Sequence, residues 1–112
     1  MTVRELIAAL SLETLCAGDL DRPVSGGYCG DLLSRVMGRA QPGDVWLTIM
    51  GNRNMVAVAV LTEVSAVLLA EGVVPEEEAL RRAETEGVTV LRSEKPVYAL
   101  CAALAALRGS AQ

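Results

Sequence analysis

The sequence predicts a single α/β domain in which helices cover both faces of a mostly parallel, five-stranded sheet. Segments with strand and helix patterns alternate along the chain, and this alternation is typical of a parallel sheet. Residues 44–50 form a nearly continuous apolar run, as expected of a strand covered on both faces. The length of 112 residues fits one core, and no linker or repeat divides it. We therefore expect one three-layer domain over residues 1–108 and a flexible C-terminal tail over residues 109–112.

The first three predicted elements are a helix and two short strands. Thr2 and Glu5 have the capping-box spacing and precede apolar residues at helical intervals, so the chain is expected to begin with a helix. Residues 12–16 alternate between apolar and polar side chains, which predicts a half-buried strand that ends at Gly18. Residues 23–29 form a second extended stretch.

The sequence patterns in the middle of the chain predict a helix, a strand and a second helix. Asp31 is placed to cap the first of these helices, and we expect Gly38 and the Pro42-Gly43 pair to end it. The apolar strand at residues 44–50 should lie centrally in the sheet. Residues 55–64 are compatible with either strand or helix. We interpret them as a helix, because the apolar strand that follows needs a crossover before it.

The last third predicts strands at residues 66–72 and 88–93, each followed by a helix. The first of these helices has Pro75 in its expected first turn and three glutamates near its positive end, and Gly87 is expected to stop it. The final helix, over residues 96–107, is rich in small apolar side chains.

The composition argues against several functional classes. The chain has no histidine, so the commonest general base and the usual imidazole metal ligand are both missing. The net charge is −4 and the basic residues are scattered, which argues against nucleic acid as a partner. We assign no catalytic residue and no metal site, and we expect the protein not to be an enzyme.

The three cysteines and the apolar segments bear on the expected compartment. Cys16, Cys29 and Cys101 are far apart and form no CxxC pair, so we expect reduced, buried thiols. The longest apolar stretch, residues 55–70, is interrupted by polar side chains before it reaches the length of a membrane span. These features favour a cytoplasmic protein that does not bind membranes.

One segment resembles a family signature. Asp21-Arg22 followed by Ser25-Gly26-Gly27 is similar to the motif for which the DRTGG domain is named, with Ser25 where the family has threonine. The opening of the chain also resembles the N-terminal domain of HPr kinase, but the chain has no GxxxxGK[ST] phosphate-binding loop, so kinase activity is not implied. The resemblance implies a small regulatory α/β domain of a kind that commonly accompanies nucleotide-sensing CBS modules or metabolic enzymes and tends to dimerise.

The predicted topology indicates where a ligand would bind. In open parallel sheets, ligands bind outside the carboxyl ends of the strands, near helix N-termini. Arg53 at such a position suits a phosphate or carboxylate. Asn52 or Asn54 could equally cap the helix. The candidate ligand-binding residues are Gly26, Gly27, Asp31, Asn52, Arg53, Asn54 and Ser93.

Two candidate residues, Gly26 and Gly27, have a structural alternative. Without Cβ atoms they allow either a ligand or a neighbouring element to approach the backbone closely. Asp21 and Arg22 are interpreted as a turn with a local ion pair.

Two functions remain open. The first is a non-catalytic regulatory or ligand-sensing domain that binds a nucleotide or another phosphorylated or anionic metabolite as a homodimer. The second is a protein interaction module that docks on a metabolic enzyme without a ligand of its own. The sequence names no cofactor.

Overall fold

The computed structural model describes residues 1–110. Helices and strands alternate along them in ten elements: α1 (Val3–Leu10), β1 (Glu13–Cys16), β2 (Gly26–Cys29), α2 (Leu33–Arg39), β3 (Asp44–Thr48), α3 (Arg53–Thr62), β4 (Ala66–Leu69), α4 (Glu77–Glu86), β5 (Val90–Arg92) and α5 (Val97–Ser110). The helix at residues 55–64 that we chose over a strand is confirmed as α3. Residues 111 and 112 of the predicted tail lie outside the described residues.

The five strands form one sheet in the order β1-β5-β4-β3-β2. The strands β2, β3, β4 and β5 are parallel, whereas β1 pairs antiparallel with β5 at one edge. The prediction of a mostly parallel, five-stranded sheet is therefore confirmed. All five residues of β3 are buried, as predicted, but the middle strand of the sheet is β4.

Helices cover both faces of the sheet and make two cores. One core joins α2, α3 and α4 to side chains such as Trp46, and the other joins α1 and α5 to side chains such as Leu47. Adjacent residues of β3 thus enter opposite cores, because side chains alternate along a strand. The Trp46 Nε1–H donates to the Gly30 carbonyl at 2.9 Å, so its polar group is satisfied inside the core.

The start of α1 confirms the predicted capping box. The Thr2 hydroxyl accepts from the Glu5 N–H at 3.2 Å, and the Glu5 carboxylate accepts from the Thr2 N–H at 2.9 Å. These hydrogen bonds lower the pKa of Glu5, because they stabilise its charged form.

Two predicted helix starts are wrong. The N-cap of α2 is Leu32 and not Asp31. The helix continues through Gly38 to Arg39 and ends before the Pro42-Gly43 pair. A glycine on an open helix surface costs only about 1 kcal/mol, and packing of Val36 outweighs that cost. Pro75 lies before the first turn of α4, which begins after Glu76, although Gly87 ends the helix as predicted.

Among the described residues, every helix falls short of the length and apolar character needed to cross a membrane.

Candidate functional site at the carboxyl edge of the sheet

The four parallel strands end at one edge of the sheet, which we call the carboxyl edge. Backbone hydrogen bonds hold the chain segments there together: the Ala70 N–H donates to the Thr48 carbonyl at 3.0 Å, and the Gly72 N–H to the Ser93 carbonyl at 2.9 Å. The turn before α3 and the turn after β5 therefore share this edge. Five of the predicted site residues follow strand ends there: Asp31, Asn52, Arg53, Asn54 and Ser93.

The first turn of α3 presents free backbone donors. Asn52 is the N-cap, and its side-chain oxygen accepts from the Met55 N–H at 3.1 Å, so the capping role proposed for an asparagine falls to Asn52. Arg53 and Asn54 occupy the first two helical positions, whose N–H groups have no acceptor within a helix. The aligned peptide dipoles add positive potential at this end.

The Arg53 guanidinium makes a weak, exposed ion pair with a glutamate of α4. Its Nη1 is 3.2 Å from the Glu78 carboxylate, and about two thirds of each side chain is exposed (63% and 66%). Exposed pairs of this kind contribute about 0–1 kcal/mol. An anionic ligand can therefore replace Glu78 as the partner of Arg53 at small cost.

Asp31 organises the exit of β3. One of its carboxylate oxygens accepts from the Thr48 hydroxyl at 2.6 Å and from the Ile49 N–H at 3.0 Å. The Thr48 side chain is buried, so this carboxylate supplies the acceptor for a hydroxyl that water does not reach. Asp31 thereby links the end of β2 to the end of β3.

Ser93 lies at the opposite end of the carboxyl edge from Asp31. Its hydroxyl accepts from the Lys95 N–H at 3.2 Å. The turn also borders a polar cavity of 390 Å³ that extends to Leu10 and Ser11 at the end of α1. Ser93 is thus part of a surface continuous with a cavity large enough for a small ligand.

Arg92, at the end of β5, ties several of these loops together. Its guanidinium donates to the carbonyls of Val73 at 3.1 Å and Gly72 at 2.8 Å. It also lies 3.0 Å from Glu13 of the antiparallel strand β1 and 3.2 Å from Glu94. All these acceptors occupy the guanidinium, so Arg92 holds the edge in shape.

Gly26 and Gly27 lie away from the carboxyl edge residues. Gly26 is level with Asp44, the first residue of β3, and a Cβ there would lie 2.9 Å from the Asp44 carboxylate. A Cβ on Gly27 would lie 2.7 Å from the Leu104 side chain of α5. Both glycines therefore allow neighbouring elements to pack closely, which is the structural alternative given above.

The other signature residues also make structural contacts. The Arg22 guanidinium donates to the Val64 carbonyl at 2.9 Å and to the Glu63 carbonyl, at the carboxyl end of α3. Asp21 pairs with Arg4 of α1 at 3.0 Å, so the local ion pair predicted between Asp21 and Arg22 is wrong. The signature thus fastens the segment before β2 to two helices.

Comparison with known proteins identifies the family. A family model described as the DRTGG domain matches residues 5–107. The chain belongs to the DRTGG domain family. No curated protein matches its sequence.

A crystal structure with the same fold contains a DRTGG domain as well. It is that of the CBS and DRTGG domains of the regulatory region of Clostridium perfringens pyrophosphatase, complexed with its activator, diadenosine tetraphosphate. The TM-score is 0.72 at 14% identity, and the match covers 92% of this chain. This chain spans about half of that one, 47% of its length. The expected fold class is thus confirmed.

Sequence reasoning did not identify the contacts of two residues that shape the edge. Glu78, the partner of Arg53, was counted only as a favourable charge near the start of α4. Arg92 is a charged residue at the end of an apolar strand, and this pattern indicates a position at the carboxyl edge. Neither contact can be read from spacing along the chain, because both depend on the order of the strands.

Proposed function

We propose that this DRTGG domain is a non-catalytic regulatory module that binds a nucleotide or another phosphorylated metabolite at its carboxyl edge. Family membership supports a regulatory role. The structural neighbour supports a nucleotide as the ligand class, because it is a regulatory region complexed with a dinucleotide activator. The observation that carries the proposal is the first turn of α3, which combines free N–H groups with an exposed arginine side chain, that of Arg53.

The chemistry of this position suits a phosphate group. Free N–H groups at a helix start donate to phosphate oxygens, and the helix dipole favours the negative charge. Arg53 adds a planar, charged donor that recognises two oxygens at once. The nearby Glu78 would be displaced from Arg53 on binding. The acidic first turn of α4 would then repel the ligand, so we expect affinity to improve with a bound divalent cation.

Isothermal titration calorimetry tests the proposal. The ligands are diadenosine tetraphosphate, ATP, AMP and inorganic phosphate, each with and without Mg²⁺. We expect one of the nucleotides to bind and Arg53→Ala to weaken it about tenfold or more, since a charge-assisted hydrogen bond contributes about 1.5–3 kcal/mol.

The matched control is Arg81→Ala. Arg81 is an exposed arginine that also pairs with a glutamate, Glu77, but it lies on the outer surface of α4. This variant should bind like the wild type. Absence of binding by every nucleotide, or equal binding by both variants, would contradict the proposal.

The surface of α5 supports the homodimer. No residue from Val97 to Leu107 is charged, and helices that are apolar on all sides are ordinarily buried. Tyr98 is nevertheless 86% exposed in the single chain. Sedimentation at micromolar concentration should give a dimer, and Tyr98→Glu should shift it to the monomer. An 11.8 kDa species as the sole product for the wild type would exclude the dimer.

The interaction module is the second candidate, and a different surface favours it. Met37, Val60 and Leu61 are 49%, 40% and 71% exposed on α2 and α3, on the opposite side of the sheet from α5. A partner enzyme docked there would cover these side chains. Leu61→Asp should then abolish capture of a stoichiometric partner, while leaving nucleotide binding and dimerisation unchanged.

A further inference from the structure

The fold brings two cysteines from distant parts of the chain to one cavity. Cys29 ends β2 and Cys101 lies in the second turn of α5. Both line a mostly apolar cavity of 280 Å³ between the free edge of the sheet and that helix. The same cavity is lined by Gly27 and Leu104, so the contact between those two residues sets the spacing of the two elements there.

The register of β2 and α5 places the two sulfur atoms opposite each other. Cys29 follows Gly27 by two residues and therefore points to the same face of the sheet, about 7 Å further along the strand. Cys101 precedes Leu104 by three residues and lies on the same side of the helix, about 4.5 Å away. Because β2 ends and α5 begins at the carboxyl edge, Cys29 and Cys101 are both displaced toward that edge from the Gly27–Leu104 contact.

The thiols also affect each other electrostatically. The pKa of Cys29 is raised to about 11, first by burial of its sulfur and then by the charge of the neighbouring Cys101 thiol. Cys29 as a residue is exposed, in contrast to the buried thiols expected from sequence, so small reagents reach it from solvent. Cys101 is partly buried behind it.

We propose that Cys29 and Cys101 form a dithiol site that a peroxide or a small disulfide oxidises to an intramolecular disulfide joining β2 to α5. With hydrogen peroxide, the Cys29 thiolate attacks one oxygen, the O–O bond breaks, and the released hydroxide takes up a proton. The Cys101 sulfur then attacks the resulting sulfenic acid, forms the S–S bond and releases a second water. Two thiols lose two electrons and two protons, and the peroxide accepts them.

The disulfide would fix the helix that covers this side of the sheet. It would connect β2, which within residues 1–110 pairs with β3 alone, to a helix near the end of the chain. Cross-linking two distant segments stabilises the folded state by restricting the unfolded chain. Oxidation should therefore raise the melting temperature, and reduction should reverse the change.

Mass spectrometry of the full chain tests the site. The protein is oxidised with hydrogen peroxide, free thiols are blocked with N-ethylmaleimide under denaturing conditions, and the intact mass is measured without reductant. We expect one maleimide adduct together with the loss of two hydrogen atoms, and a peptide containing Cys29 linked to Cys101. The rate should rise about tenfold per pH unit at neutral pH, because the reactive thiolate is scarce far below the thiol pKa.

Cys16 supplies the matched control. It is also partly buried with a raised pKa, caused mainly by burial, but it lies in β1 at the opposite edge of the sheet. The variant Cys16→Ser should form the disulfide at the wild-type rate and show the same rise in melting temperature. Cys29→Ser and Cys101→Ser should each retain two free thiols.

Three outcomes contradict the proposal. They are three adducts at every peroxide concentration, a disulfide that includes Cys16 as often as Cys101, and a link between two chains in place of one within a chain.

Discussion

Replacing the signature arginine tests whether the DRTGG motif is a structural clasp. Arg22→Ala removes a guanidinium that donates to the carbonyls of Val64 and Glu63 at the end of α3. Hydrogen bonds to charged groups contribute about 1.5–3 kcal/mol each. In the variant the Glu63 carbonyl still accepts from the Gly43 N–H at 3.0 Å. Losing the hydrogen bond from Arg22 to this carbonyl should therefore cost an energy at the low end of that range. We therefore expect the free energy of unfolding to fall by about 3–4.5 kcal/mol.

Urea unfolding measures this change, with Trp46 as the reporter because it is the single tryptophan and is fully buried. The midpoint should fall while the slope stays constant, and the melting temperature should drop by about 15 °C. Arg22→Lys should recover less than half of the loss, because an ammonium group is a compact point charge without the planar fork. Arg81→Ala, which removes only an exposed ion pair, should change stability by under about 0.5 kcal/mol. If Arg22→Ala were as stable as this control, the clasp would be refuted.

Two further substitutions test close contacts. Gly27→Ala should destabilise the domain by about 1–3 kcal/mol in thermal unfolding, because the added Cβ would lie 2.7 Å from the Leu104 side chain. A melting temperature equal to that of the wild type would show that α5 moves to make room for the Cβ. Asp31→Ala should lower the free energy of unfolding by a similar amount, because the buried Thr48 hydroxyl and the Ile49 N–H lose their acceptor. Asp31→Asn retains a side-chain oxygen and should lower it much less. Equal destabilisation by both variants would mean that the charge of Asp31 matters and not its hydrogen bonds.

Local patterns were sufficient to predict most of the fold. The capping box of Thr2 and Glu5 is formed by residues three positions apart, so the local sequence is enough to predict it. The helix α3 was decided by connectivity, because parallel strands on both sides of it require a crossover. Asp31 was misassigned as a helix cap, since its partners Thr48 and Ile49 are 17 and 18 residues away.

The contacts that the sequence did not predict all depend on strand order. The edge position of β2 beside α5 brings Cys29 to Cys101, and no spacing along the chain encodes that meeting. The pairing of Arg53 with Glu78 likewise depends on α3 and α4 packing side by side. The rule that parallel strands end at one edge nevertheless predicted, without knowledge of the strand order, that Arg53 and Ser93 lie on the same edge of the sheet.

The most direct test of the carboxyl edge as the ligand site is an NMR titration of the ¹⁵N-labelled domain with diadenosine tetraphosphate. We expect the largest amide shift changes at Arg53 and Asn54, with smaller ones at Ser93, and reduced changes at these amides in Arg53→Ala at the same subsaturating ligand concentration. Shift changes centred on Tyr28 and Cys101, in the cavity between β2 and α5, would contradict the account. So would the absence of any shift change at millimolar ligand.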